Sequence, residues 1–122
     1  MIGADDVRRV AAGLPGASER MSYGMPGFRV ADRLFARIRD EGDVLLVWCA
    51  GLEEKQELIA AEPAKFFTTP HYDGHPTVLV RFSAIDVAEL TELMTESWRL
   101  RAPRHLVAAF DARQIPPRSA DG

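Results

Sequence analysis

Phe28-Arg29-Val30-Ala31-Asp32-Arg33-Leu34-Phe35-Ala36-Arg37-Ile38-Arg39-Asp40-Glu41-Gly42-Asp43-Val44-Leu45-Leu46-Val47-Trp48-Cys49 is the stretch that decides the fold. It divides into three extended segments separated by turn-forming residues. Phe28 to Ala31 is short, Arg33 to Arg39 alternates, and Val44 to Cys49 is an almost unbroken apolar run. Alternation with a period of two marks a strand with one covered face, and an unbroken run suits a central strand covered on both. Asp32 fits a tight turn and Asp40-Glu41-Gly42 a short hairpin loop. Joins this short predict antiparallel pairing.

Upstream, Val7, Val10, Ala11 and Leu14 recur at helical spacing, with Asp5 and Asp6 at the positive end of the dipole and Pro15-Gly16 as the stop. Ala17 to Gly27, with Gly24, Pro26 and Gly27 as breakers, is expected to be a loop. Downstream, Gly51 to Ala61 reads as a second helix, with a turn from Pro63 through Phe66. A loop from Thr68 to Pro76 then leads into a strand from Thr77 to Phe82. A long helix is expected from about Val87 to Arg101, capped by Asp86 with Glu89 three residues on. Its inward face is Val87, Leu90, Leu93, Met94, Ser97 and Leu100; Pro103 opens a short final helix carrying Leu106, Val107 and Phe110. The fold expected is α+β: a two-layer sandwich of a mostly antiparallel sheet with helices packed on one face. Residues 1–110 form one domain on this reading, and 111–122, with Pro116-Pro117, a flexible tail.

The chain has 122 residues, 47% of them hydrophobic, which suits one domain with its own core. A net charge of −3 argues against a strongly cationic coat for nucleic acid but not against a local basic patch. The single cysteine, Cys49, forbids an internal disulfide and any multi-cysteine zinc site. No apolar stretch reaches the ~20 residues that span a bilayer, and Asp5 and Asp6 replace the basic segment of a signal peptide. A cytoplasmic setting without membrane partners is the expectation.

No phosphate loop, dinucleotide fingerprint or nucleophile elbow is present. His71, Asp73 and His75 offer imidazole and carboxylate, but Pro70, Gly74 and Pro76 exclude the helix on which such spacing converges. No metal, cofactor or catalytic set is therefore assigned, and the expectation is a binding protein, not an enzyme. Arginine is the more informative residue. Strict alternation puts Arg33, Phe35, Arg37 and Arg39 on one strand face, with Arg29 on the neighbouring strand, and Arg99, Arg101 and Arg104 close the long helix. These arginines first suit a solvated sheet face and a helix C-terminus, the more ordinary reading; contact with phosphates is the functional one.

Three motifs occur in order along almost the whole chain. They are Leu14-Pro15-Gly16 with Ser22-Tyr23-Gly24-Met25-Pro26-Gly27-Phe28-Arg29-Val30 and Leu34-Phe35-Ala36-Arg37; Pro70-His71-Tyr72-Asp73-Gly74-His75-Pro76 with Val78-Leu79-Val80; and Trp98-Arg99-Leu100-Arg101-Ala102-Pro103-Arg104. Together they resemble the MmcQ/YjbR family, with His75 where the family pattern leads one to expect an aromatic. The resemblance implies a CyaY-like sandwich in a double-wing arrangement and a DNA-binding role, without established catalytic residues. Two functions follow as expectations. The first is DNA binding through Arg29, Arg33, Arg37 and Arg39, with Arg99, Arg101 and Arg104 as further phosphate contacts. The alternative is a module for a small ligand or protein partner, with Ser22, Tyr23, His71 and Asp73 in a pocket between the Ser22–Pro26 and His71–His75 loops.

Overall fold

A computed structural model describes residues 2–22, 24–39 and 42–114. The elements run α1 (Ala4–Ala12), β1 (Ala17–Ser22), β2 (Met25–Val30), β3 (Arg33–Arg39), β4 (Val44–Trp48), α2 (Leu52–Ala61), β5 (Phe66–Phe67), β6 (Thr77–Arg81), α3 (Val87–Arg101) and α4 (Arg104–Gln114). The strands form one antiparallel sheet in the order β1-β2-β3-β4-β6-β5. The fold is α+β, as expected.

The pleat sorts side chains between two unequal faces. Phe28, Val30, Ala36, Ile38, Leu45, Val47, Val78 and Val80 point into the main core, where they meet Val7 and Ala11 of α1 and Leu90, Met94 and Trp98 of α3. The opposite face has a smaller cluster of Val44, Leu46 and Leu79, partly covered by Trp48, Phe67 and Tyr72. The continuous apolarity of β4 therefore has the cause read from it: both of its faces are covered.

Residues 17–22, expected as a loop, instead pair along their length with β2 as an edge strand. The breakers act at a single point: Gly24, at φ +81°, lies in the two-residue connection, while Pro26 and Gly27 sit inside β2. Ala31 and Asp32 join β2 to β3 with φ of 50° and 64°. Both central residues of this two-residue hairpin are left-handed, the geometry that follows the natural twist of the strands. Phe66 and Phe67 add a short strand beside β6, after the turn expected from Pro63.

Alternation also breaks within β3. Phe28 pairs with Ala36 and Arg29 with Leu34, so Phe35 is the extra residue of a bulge. Phe35 is consequently fully buried in the core, on the side opposite Arg37 and Arg39, and does not share the arginine face. Ser97 of α3 closes the gap, its hydroxyl donating to the Phe35 carbonyl and accepting from the Trp48 amide at 2.8 Å. Trp98 donates its indole N–H to Pro15 O at 3.0 Å, tying α3 to the end of α1.

Asp86 caps α3 by accepting from Glu89 N at 2.8 Å, while the Glu89 carboxylate is engaged by Lys65. Val87 and Leu100, expected on the inward face of α3, are exposed, because α3 turns Leu90, Met94, Ser97 and Trp98 towards the sheet. α4 continues through Gln114, so the expected boundary at residue 110 falls inside a helix. Asp111 is anchored there by Arg99 at 2.6 Å. The tail expected beyond it, residues 115–122, lies outside the described residues.

Candidate functional site: the helix-free face

Strand register places the arginines more firmly than composition could. One row across the helix-free face reads Arg20, Gly27, Arg37, Leu46, Leu79; a second reads Arg39, Val44, Arg81. Arg29, opposite Leu34, belongs to the same face. Among the described residues, Glu19 is the only carboxylate carried by a strand, and it points to the helix side, where Arg8 holds it at 2.9 Å. The remaining acid lies in helices and turns: Asp5 and Asp6 on α1, Glu53, Glu54 and Glu57 on α2, Glu89, Glu92 and Glu96 on α3. A net-acidic chain thus carries a basic sheet face.

The arginines are held in different ways. Arg29 donates to the Asp32 carbonyl at 3.2 Å, and Arg20 lies 3.6 Å from the Asp32 carboxylate. Arg39 stands over the Tyr72 ring at 5.4 Å. Arg81 stacks on Phe67 at 4.2 Å and donates to the Pro63 and Ala64 carbonyls. Stacking of this kind fixes a guanidinium without cancelling its charge. Arg33 is exposed beside the hairpin turn, but it pairs with core-facing Val30. The bulge therefore turns it, like Phe35, to the helix side, and it does not share the face of Arg37 and Arg39 that alternation led one to expect.

The cluster at the end of α3 divides. Arg101 donates from Nε to Leu34 O at 3.0 Å and lies over the Trp48 ring at 4.6 Å, which brings it to the margin of the basic face. Partial burial, and then the nearby charge of Arg33, pushes its guanidinium below its usual pKa. Arg99 turns the other way, to Glu96, Asp111 and the Phe110 ring, and braces α4. Arg104 is exposed in the first turn of α4. Arg20 and Arg81 complete the face and were missed as site residues. Alternation in β6 already separated Arg81 from Val78 and Val80, but nothing local revealed Arg20, whose strand was read as a loop.

A cleft of about 240 Å³ opens on the same face. Its floor is Leu34, Leu46 and Trp48, its far wall is the loop carrying His71, Tyr72, His75 and Pro76, and Arg37 and Thr77 stand at the sheet. The loop is built by local turns, with Tyr72 and Asp73 amides donating to Thr69 O at 2.8 and 3.0 Å and Gly74 at φ +84°. It is pinned from beneath by Lys55 of α2, whose ammonium donates to the carbonyls of Tyr72 at 2.5 Å and His75 at 2.9 Å. Burial pushes the Lys55 pKa down, the desolvation expected of an amine committed to structure. Of the residues expected in a two-loop pocket, His71 lines this cleft and Asp73 does not. Ser22 ends β1, and Tyr23 lies outside the described residues. Met25 and Pro26 of the expected Ser22–Pro26 loop are part of β2 and line no part of the cleft.

Cys49 is buried and its thiol pushed up to about 11, chiefly by desolvation, so it is protonated at neutral pH and a poor nucleophile. Among the described residues, no group of three or more His, Cys, Asp or Glu is placed to hold a metal ion, and no helix is long and apolar enough to cross a membrane.

A six-stranded antiparallel sheet, helices on one side and a basic face with a cleft on the other, defines a small α+β sandwich. Comparison with known proteins places it further. The family model YjbR matches residues 12–100, and the chain belongs to the YjbR family. It is similar to the uncharacterised protein Rv2570 of Mycobacterium tuberculosis and to Mb2600 of Mycobacterium bovis, each 39% identical over 123 residues, covering 87% of this chain and 93% of the relative. Among solved structures it is similar to the Deinococcus radiodurans protein DR2400, of the family-model domain DUF419. That match has a TM-score of 0.70 and 25% identity, covering 82% of this chain and 78% of that one.

Proposed function

We propose that this protein binds DNA through the helix-free face of its sheet, without catalysing a reaction on it. The observation that carries the reading is the segregation of charge. Arg20, Arg29, Arg37, Arg39 and Arg81 share one face across four strands, and the one strand carboxylate, Glu19, lies on the other. Backbone phosphates are the ligand that rewards such an array, because each neutralised phosphate releases a condensed counterion. Such phosphate contacts position a duplex without reading its sequence. Arg33 and Arg101 stand beside the β2–β3 turn at the helix-side margin, outside this array; Arg104 adds an exposed charge at the start of α4, and Arg99 is spent on α4 packing.

The test is fluorescence anisotropy of a labelled random duplex across a salt series. Binding at micromolar protein is expected, weakening steeply as salt rises. Removing both Arg37 and Arg39 as alanines should lower the magnitude of the log–log salt slope by roughly two, about one per lost phosphate contact. Absence of binding at low salt would overturn the proposal.

A further inference from the structure

Arginines alone do not account for the cleft beside them. Thr77 is 4% exposed and its hydroxyl has no hydrogen-bond partner, although it stands in the cleft wall. A buried hydroxyl left unmatched is costly, and a native structure keeps one chiefly where something else satisfies it. The neighbours state what that something carries. Arg37 and the rings of His71 and His75 are donors or potential donors, and none of the described lining residues is a carboxylate. Asp73 belongs to the same loop but is not in the lining; its charge acts on Lys55 instead. The floor, by contrast, is apolar, formed by Leu34, Leu46 and Trp48, whose ring also carries Arg101 at 4.6 Å. At about 240 Å³ the space lies below the ~300–1,000 Å³ of sites for drug-sized ligands, which limits an occupant to about one ring.

We propose that this cleft is a binding site for a small aromatic carboxylate, its ring against Trp48 and its oxyanion between Arg37 and the Thr77 hydroxyl. A carboxylate accepts from the planar guanidinium fork and from a hydroxyl at once, which a neutral amide of the same shape does not reproduce. His71 and His75 close the site from the loop, and the Lys55 clamp on the Tyr72 and His75 carbonyls holds that loop in place before a ligand arrives. The proposal does not rest on duplex binding, although a duplex and the carboxylate would compete for Arg37.

The experiment is a ¹⁵N–¹H correlation spectrum of the full chain titrated with benzoate, benzamide and inorganic phosphate. Benzoate is expected to move the Trp48 indole and Thr77 amide signals with millimolar affinity. The Trp98 indole, committed to Pro15 O, should stay still. Benzamide should bind at least about tenfold more weakly, as should benzoate to Thr77→Val, while Thr77→Ser keeps the wild-type affinity. Equal binding of benzamide would overturn the anion requirement. Equal effects of phosphate would show a bare phosphate contact with no use for the ring, and would overturn the proposal in favour of the arginine face alone. No shift with benzoate at about 10 mM would overturn it outright.

Discussion

The two faces of this sheet are made from the same six strands, yet they are governed by different physics. On the helix side, Phe28, Phe35, Ile38, Leu45 and Val80 meet α1 and α3 in a continuous core in which large side chains are wholly buried. On the other side the buried apolar cluster is small, Val44, Leu46 and Leu79 beneath one loop and two half-buried aromatic rings, and arginines stand around it. The first face holds the fold together, and close packing leaves it little freedom to change. The second is free of that duty over most of its area, which is where a recognition surface can be placed at small cost in stability. The contrast is testable from both sides.

The largest effect should come from the core. Phe35→Ala empties a site that is buried both by its position in the bulge and by α3, and should cost about 3–5 kcal/mol in denaturant unfolding. Arg37→Ala combined with Arg39→Ala should move stability far less, because Arg39 meets Tyr72 through a cation–ring contact of order 0.5–1 kcal/mol. Should the two changes prove comparable, the division of labour between the faces would fail.

Next in size is Ser97→Ala. It removes one hydroxyl but strands two backbone groups, the Phe35 carbonyl and the Trp48 amide, at the seam between α3 and the bulge. A loss of about 1–3 kcal/mol is expected, with hydrogen exchange accelerating at Trp48. Smaller, and opposite in sign, is Ala31→Gly. A left-handed alanine costs roughly 1–2 kcal/mol, partly offset by the extra chain entropy of glycine, so a net gain of about 0.5–1 kcal/mol is expected in thermal or chemical unfolding.

One pH effect should arise from the core. The Cys49 thiol, raised to about 11 from an ordinary 9.0, keeps its proton in the folded state after the unfolded chain has lost it. Between those values the unfolded state binds fewer protons, so stability falls as pH rises; below pH 9 the contribution is constant. Cys49→Ala should flatten that decline, and a thiol reagent at neutral pH should label Cys49 only on unfolding.

Sequence pattern exposes one of these faces better than the other. Helical spacing in α1, the Asp86 cap and the doubly covered β4 were legible because each rests on local chemistry or a sustained period. The bulge was not: inserting Phe35 leaves the written alternation intact while reversing which side of the strand the aromatic occupies. Nor was β1, since Ala17 to Ser22 carries little apolar pattern and owes its strand to pairing with β2. The arginine face was therefore half visible. Arg29, Arg37 and Arg39 could be read, whereas Arg20 needed the register, and the divergence of Arg99 from Arg101 needed α4. The cleft was approached through its loop, from His71, but its opposite wall comes from β3, β4 and β6, which are distant in the chain.

The central claim, that the helix-free face reads phosphate, is tested most directly by two charge-matched variants in one salt-dependent DNA-binding measurement. Arg37→Ala with Arg39→Ala removes two cations from that face; Arg8→Ala with Arg9→Ala removes two from α1. Net charge changes equally in both. Only the first pair should weaken duplex binding and reduce the salt slope, by roughly two, with the α1 pair close to wild type. Equal losses from the two pairs would mean that the duplex senses overall charge and not this face, and would contradict the assignment.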